Sequence, residues 1–253
     1  MRRRVPSKAS HAGARPARVV EFVGLPGAGK TTAAHRLADR LAQDEAQTVI
    51  FRDIKRDISR LPKLRRVEVV ARADRRIWTA AYHGVLSPLS SHRWTKRLRG
   101  PFQVADYFLA IDRENKRADN ERFLFLEDWI VQSLWRACCI GACRLRRAKQ
   151  LIEYHARCFD VSYVFFDIDP ETSAARIFER AEKRKAGLEK GWTNFEKLEF
   201  DECVAVLRER KKVFVEMISF MRDNDIRTLT VDGRCATEQV SEAIRTALAR
   251  WHA

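Results

Sequence analysis

Apolar residues fill positions 19–23 except at Glu21, and the run stops at a glycine-rich stretch. A short apolar segment of this kind predicts a buried strand. Just beyond the stretch, Ala34, Leu37, Ala38 and Leu41 recur at i, i+3, i+4 and i+7, which predicts a helix from near Lys30. The same two periods parse the rest of the chain. Strands are predicted at 48–51, 123–126, 161–166 and 226–231. Segment 161–166 is almost continuously apolar, as in a parallel strand covered on both faces. Helices are predicted at 62–82, 102–116, 130–143, 144–158, onward from Pro170, 194–223 and 238–251. Asp169, Pro170 and Glu171 form a helix start, with a capping carboxylate followed by proline at the first helical position. No internal repeat interrupts the order. Strands alternating with helices predict an α/β domain, a doubly wound five-stranded parallel sheet with helices on both faces.

The stretch between the first strand and the first helix is Gly24-Leu25-Pro26-Gly27-Ala28-Gly29-Lys30-Thr31, followed by Thr32. It matches G-x-x-x-x-G-K-[ST] in the strand–turn–helix context that gives the match meaning. Glycines let successive backbone N–H groups face inward and, with the positive end of the helix, cradle phosphate oxygens. Pro26 stiffens the loop. Lys30 is placed to reach the β- and γ-phosphates and the Thr31 hydroxyl to reach Mg2+. The expected ligand is therefore ATP with Mg2+, held by Gly24, Pro26, Gly27, Ala28, Gly29, Lys30, Thr31 and Thr32.

In open α/β sheets, ligands sit beyond the carboxyl ends of the strands. Arg52 and Asp53 follow the second predicted strand and are candidates for substrate contact. Glu127, Asp128 and Trp129 follow the third. A carboxylate there can hold Mg2+ or take a proton from an attacking hydroxyl, and the pattern leaves open which of Glu127 and Asp128 does so. Trp129 is a candidate for stacking on a base, with core packing as the alternative. On the helix after the fourth strand, Arg176, Arg180 and Arg184 share one face. With Lys183, Lys185 and Lys190 they predict a cationic lid over 176–193 that closes on phosphates. Residues 52–118 are read as a helical region that holds an acceptor.

The net charge of +15 changes the picture at the N-terminus. Residues 1–18 carry six basic side chains and no acidic one, which leaves +9 on the rest. Residues 1–17 are read as a disordered basic tail, without the apolar stretch of a secretory signal, and 18–253 as the domain. An organelle transit peptide shares that composition. The charge calls for an anionic partner; nucleotide phosphates suffice, and nucleic acid is compatible but not required. No apolar run is long enough to span a membrane. The six cysteines form no C-x-x-C, which suits a reducing, cytoplasmic setting.

From the phosphate loop, the acid-bearing third strand, the Asp169-Pro170-Glu171 start with its spaced arginines, and the final strand–Asp232–helix, the chain resembles the thymidylate kinase-like group of P-loop nucleoside and nucleotide kinases. That resemblance implies a sheet order of 2-3-1-4-5, ATP–Mg2+ on residues 24–32, and Arg176 and Arg180 acting on the transferring phosphate. It implies an ATP-dependent kinase of a nucleoside monophosphate, nucleoside or other small acceptor, compatible with a homodimer. One position departs: Asp128 stands where these kinases carry arginine after the acid, so Arg52 or Arg113 would have to serve an acceptor phosphate. The competing classes are a nucleotide switch and a regulatory or scaffold P-loop protein with a basic nucleic-acid-facing surface. For a switch, N-K-x-D fails at Asn115-Lys116-Arg117-Ala118.

Overall fold

The computed structural model describes residues 18–43, 47–50, 122–127, 129–141, 143–186 and 194–252. The tail, the 52–118 region with Arg52, Asp53 and Arg113, Asp128, and the 187–193 part of the lid lie outside the described residues. In chain order the elements are β1 (Arg18–Gly24), α1 (Lys30–Gln43), β2 (Gln47–Ile50), β3 (Arg122–Leu126), α2 (Ile130–Cys139) and α3 (Leu145–Cys158). They continue with β4 (Val161–Asp167), α4 (Pro170–Lys185), a 3-10 turn (Asn194–Lys197), α5 (Phe200–Asp223), β5 (Thr228–Asp232) and α6 (Thr237–His252).

The expected α/β class with a parallel sheet is what the chain forms. All strand pairings are parallel, in the order β2-β3-β1-β4-β5. β1 lies between β3 and β4, and residues 19–24 are buried. One face of the sheet carries Phe22, whose ring meets Phe125 at 5.5 Å and Phe166 at 5.9 Å. Helices α1 and α6 pack on each other and on strands β1, β2 and β5. The opposite face carries Glu21, Tyr163 and Phe165, which meet α2, α3 and α5. Trp135 of α2 stacks on Phe214 of α5 at 4.4 Å, closing that layer. Because the strands are parallel, their carboxyl ends gather at one edge, where the loops after β1, β3, β4 and β5 meet.

Two predicted helices are corrected. Residues 130–143 do not form one helix: α2 stops at Cys139, and Gly141 turns the chain at φ 71°, a left-handed conformation that glycine adopts without steric cost. The long helix expected at 194–223 begins only at Phe200, after the separate 3-10 turn. The start of α4 follows the sequence. Asp169 accepts from the Thr172 amide at 2.6 Å and from its hydroxyl at 2.9 Å, with Pro170 at the first position. Burial pushes the Asp169 carboxyl up, but the Thr172 hydrogen bonds outweigh it and hold the group below its ordinary value. No described helix is long and apolar enough to cross a membrane.

Between the sheet and α3 sits a buried polar contact. His155 Nδ1 lies 3.1 Å from the Tyr163 hydroxyl, with the Trp129 ring against the imidazole at 4.1 Å. Burial lowers the His155 pKa from 6.5 to about 3, so the folded protein keeps this ring neutral. The unfolded chain protonates it near 6.5 and binds more protons at every pH between the two values, so stability falls as pH drops through that window. We expect His155 to contribute a slope approaching ~1.4 kcal/mol per pH unit below pH 6. Urea denaturation of wild type and His155→Gln across pH 4 to 7 checks this. A variant with an unchanged slope would remove His155 as the source.

Candidate active site

A loop that presents its N–H groups to a ligand must dispose of its carbonyls elsewhere. Here five carbonyls between Gly24 and Gly29 have donors from the protein. Lys30 Nζ donates to Gly24 O at 2.9 Å and to Leu25 O at 3.0 Å. Ser173 Oγ donates to Pro26 O at 2.6 Å, and Arg176 Nη1 to Gly27 O at 3.1 Å. Gly29 O accepts from the Ala33 amide at 2.9 Å, the first helical bond of α1. The loop is thus held from outside by α4, and its first turn leads into the N-terminus of α1, where unpaired N–H groups favour an anion.

Close approach explains the glycines. At Gly24, φ is 149° and a Cβ would stand 2.7 Å from the Phe166 carbonyl oxygen of β4. At Gly27, φ is 77° and a Cβ would meet Arg176 Cβ and Ser173 O at 3.2 Å. Side chains at either position would force the loop off its neighbours.

The acid expected after β3 lies where it was sought. The Thr31 hydroxyl donates to Glu127 Oε2 at 2.6 Å. The other carboxylate oxygen, Glu127 Oε1, is buried and has no hydrogen-bond partner among the described residues. A buried carboxylate oxygen left unpaired is costly, and a hard cation is a ligand that removes the cost. The donor set of a hydroxyl and a carboxylate, with space for phosphate oxygens and water, fits Mg2+. Gln132 of α2, which sequence patterning does not single out, touches the same place: its Oε1 accepts from the Gly24 amide at 3.3 Å.

These groups line one cleft of about 780 Å³. Its wall holds Lys30, Thr31 and Glu127, and also Arg136, Arg180, Arg184 and Arg210 from three helices. Among the described residues one acid stands with five bases, a positive lining suited to a polyanionic ligand. Apolar surface from Trp135, Ile140, Phe195 and Leu198 lies beside the charges. A second cavity of about 200 Å³ opens on the other side of the loop, between Ala28, Gly29 and Thr32 and the turn at Gly233 and Cys235. Arg180 borders both cavities.

The predicted site residues therefore divide. Gly27, Lys30, Thr31, Glu127 and Arg180 come together, and Gly24, Pro26, Ala28, Gly29 and Thr32 complete the loop around them. Arg176 is not poised over the cleft: its guanidinium bridges Gly27 O and Gly233 O, the latter at 2.9 Å. Trp129 requires correction as a base-stacking residue. It is fully buried against His155 and Phe159, because the chain after β3 turns its indole under the sheet. Ser173 and Gln132 are reached through tertiary contacts, 147 and 108 residues from their partners, which no local pattern carries. Glu21 left one signal, a charge inside an apolar strand.

Compared with known protein families and with curated proteins, the chain matches none.

The packing predicts different costs for two loop glycines. Gly24→Ala should destabilise the fold by about 1–3 kcal/mol through the Phe166 contact and should do so more than Gly29→Ala, where a Cβ meets nothing within 4 Å. Urea denaturation of both variants measures it. Gly29→Ala carries the strain of its φ of 88° alone, so a loss at Gly24 no greater than at Gly29 would mean that the β4 contact adds nothing to the cost of the positive φ.

Proposed function

We propose that this chain is an ATP-dependent phosphotransferase with the P-loop NTPase fold, a small-molecule kinase similar to the thymidylate kinase-like group. The observation that carries the reading is the convergence of Lys30, Thr31, Glu127 and Arg180 on one positive cleft beside the glycine loop. The nucleotide phosphates lie on the inward N–H groups of the loop and the first turn of α1. Lys30 exchanges its bonds to Gly24 O and Leu25 O for phosphate oxygens. Thr31 and Glu127 would hold Mg2+, which when bound would neutralise charge on the phosphates. The acceptor oxygen forms a bond to the γ-phosphorus as the bond to the bridging oxygen of ADP breaks, and the acceptor proton leaves with the transfer. The transition state is loose and places charge on the peripheral oxygens, so fixed cations contribute more than an early base. Arg180, bordering both cavities, supplies one. The smaller cavity beyond Thr32 takes the nucleoside of the donor, and the larger takes the acceptor.

Two measurements test this. Incubation with ATP, Mg2+ and a panel of nucleosides, nucleoside monophosphates and other hydroxyl acceptors, read by mass, should yield a product heavier by one phosphoryl group. Binding of ATP without any product would favour a regulatory nucleotide-binding role. Lys30→Ala should then abolish most turnover in a protein that still folds and melts cooperatively, and a variant of near-wild-type activity would refute the kinase reading.

The two arginines should separate in kinetics. Arg180→Ala should lower kcat by on the order of a hundredfold with a smaller effect on ATP affinity, as for a contact made mainly in the transition state. Arg176→Ala removes a brace of the loop and should weaken ATP binding as well. Steady-state rates and ATP titrations of both variants decide it; identical profiles would show that the brace has no separate role.

A further inference from the structure

Glu21 is fully buried in the middle of β1, in the sheet face covered by α2. A carboxylate in that position needs a partner that ordinary strand pairing does not supply. It has one in the start of α2. Its Oε1 accepts from the Gln132 amide at 3.1 Å, one of the first-turn N–H groups that have no partner within the helix. The capping position, Trp129, contributes no side-chain bond, so Glu21 acts as a cap from another element. The same residue answers in the other direction, since Gln132 Oε1 accepts from the Gly24 amide at 3.3 Å. Two bonds therefore join one residue of α2 to two points of β1, one mid-strand and one at the mouth of the phosphate loop.

The consequence falls on Glu127. β3 is registered against β1, with Glu21 opposite Leu126, so the strand delivers Glu127 to the edge of the sheet. Three residues on, at Ile130, α2 begins. The turn that carries Glu127 is thus gripped on both sides by β1, through the ladder before it and through Gln132 after it. Thr31 lies beyond the same loop that Gln132 holds at Gly24. The 2.6 Å separation of Thr31 and Glu127 spans the two parts that this pair of bonds ties together.

We propose that Glu21 and Gln132 are positioning residues for the Mg2+ site: the reciprocal β1–α2 bonds set the spacing of Glu127 and Thr31. This rests on the reading of the cleft as a Mg·nucleotide site. Gln132 also borders the cleft, whereas Glu21 does not line it, so the effect of Glu21 is exerted through the turn and the loop. Removal of partners that orient metal ligands typically lowers metal affinity ten- to a hundredfold.

The experiment measures ADP binding by calorimetry, with Mg2+ and with a chelator, on the full chain. The ratio of the two dissociation constants is the contribution of the metal, which a purely structural role would leave unmoved in folded protein. Gln132→Leu should lower that ratio by on the order of tenfold or more. Glu21→Asp keeps the charge and shortens the arm by one methylene, so it should lower the ratio while perturbing the core little. Glu21→Gln keeps an oxygen at the same reach and should hold the ratio within about fivefold of wild type, the loss being the charge–dipole part alone. Melting curves establish that each variant is folded; if Gln132→Leu is not, Glu21→Asp against Glu21→Gln decides. A folded Gln132→Leu or Glu21→Asp with the wild-type ratio overturns the inference and leaves the kinase reading standing. Wild-type protein that binds no ADP with Mg2+ overturns both.

Discussion

The site depends on how the glycine loop satisfies its own carbonyl groups. A loop of this length has at least as many acceptors as donors, and any carbonyl turned inward would repel an anion. Ser173 and Arg176 take the Pro26 and Gly27 carbonyls from one side, and in the absence of a ligand Lys30 takes those of Gly24 and Leu25 from the other. With the acceptors engaged, the donors are left for a ligand. The brace comes from the first two turns of α4, and so it depends on the Asp169 cap that starts that helix on the right residue. A cap more than 140 residues from the loop in sequence thereby controls the conformation of the loop.

The parallel sheet makes this arrangement possible. β1 has neighbours on both sides, so the loops that follow β3, β4 and β5 all leave the sheet beside the loop that follows β1. β3 contributes Glu127, β4 leads into Ser173, Arg176 and Arg180, and β5 leads to the Gly233 carbonyl that Arg176 also grips. Each strand delivers one type of group.

How much of this was legible in the sequence follows from how local each signal is. The glycine loop, the first helix, the Asp169-Pro170 start and the acid after β3 are each written in a few adjacent residues, and each holds its expected place. Arg180 was legible from its spacing. Arg176 was legible as a site residue but not in its role, because helical spacing says which face a side chain is on and not what stands opposite. Trp129 shows the same limit: an aromatic after a strand end can turn outward to a base or inward to the core, and His155 and Phe159, which receive it in the core, are far along the chain. The break at Gly141 was hidden because the apolar period continues through it, while a single left-handed glycine ends the helix.

Glu21 shows why such groups resist pattern reading. A buried carboxylate costs several kcal/mol in desolvation even after relaxation. A charge-assisted hydrogen bond returns about 1.5–3 kcal/mol and the N-terminus of a helix up to ~2 kcal/mol more in a partly buried setting. The gain approaches the cost only where a helix begins directly over the strand. Shifting α2 by one turn would take the Gln132 amide away from the carboxylate, so Glu21 favours the observed placement of that helix. Its charge also acts on its neighbour across the β1–β4 register. The Tyr163 hydroxyl is raised well above its ordinary pKa, first by burial and then by Glu21, and so remains a phenol beside the His155 ring. The interruption in the apolar pattern of β1 is therefore the feature that makes one packing of α2, and with it one position of the turn that carries Glu127, more favourable than its alternatives.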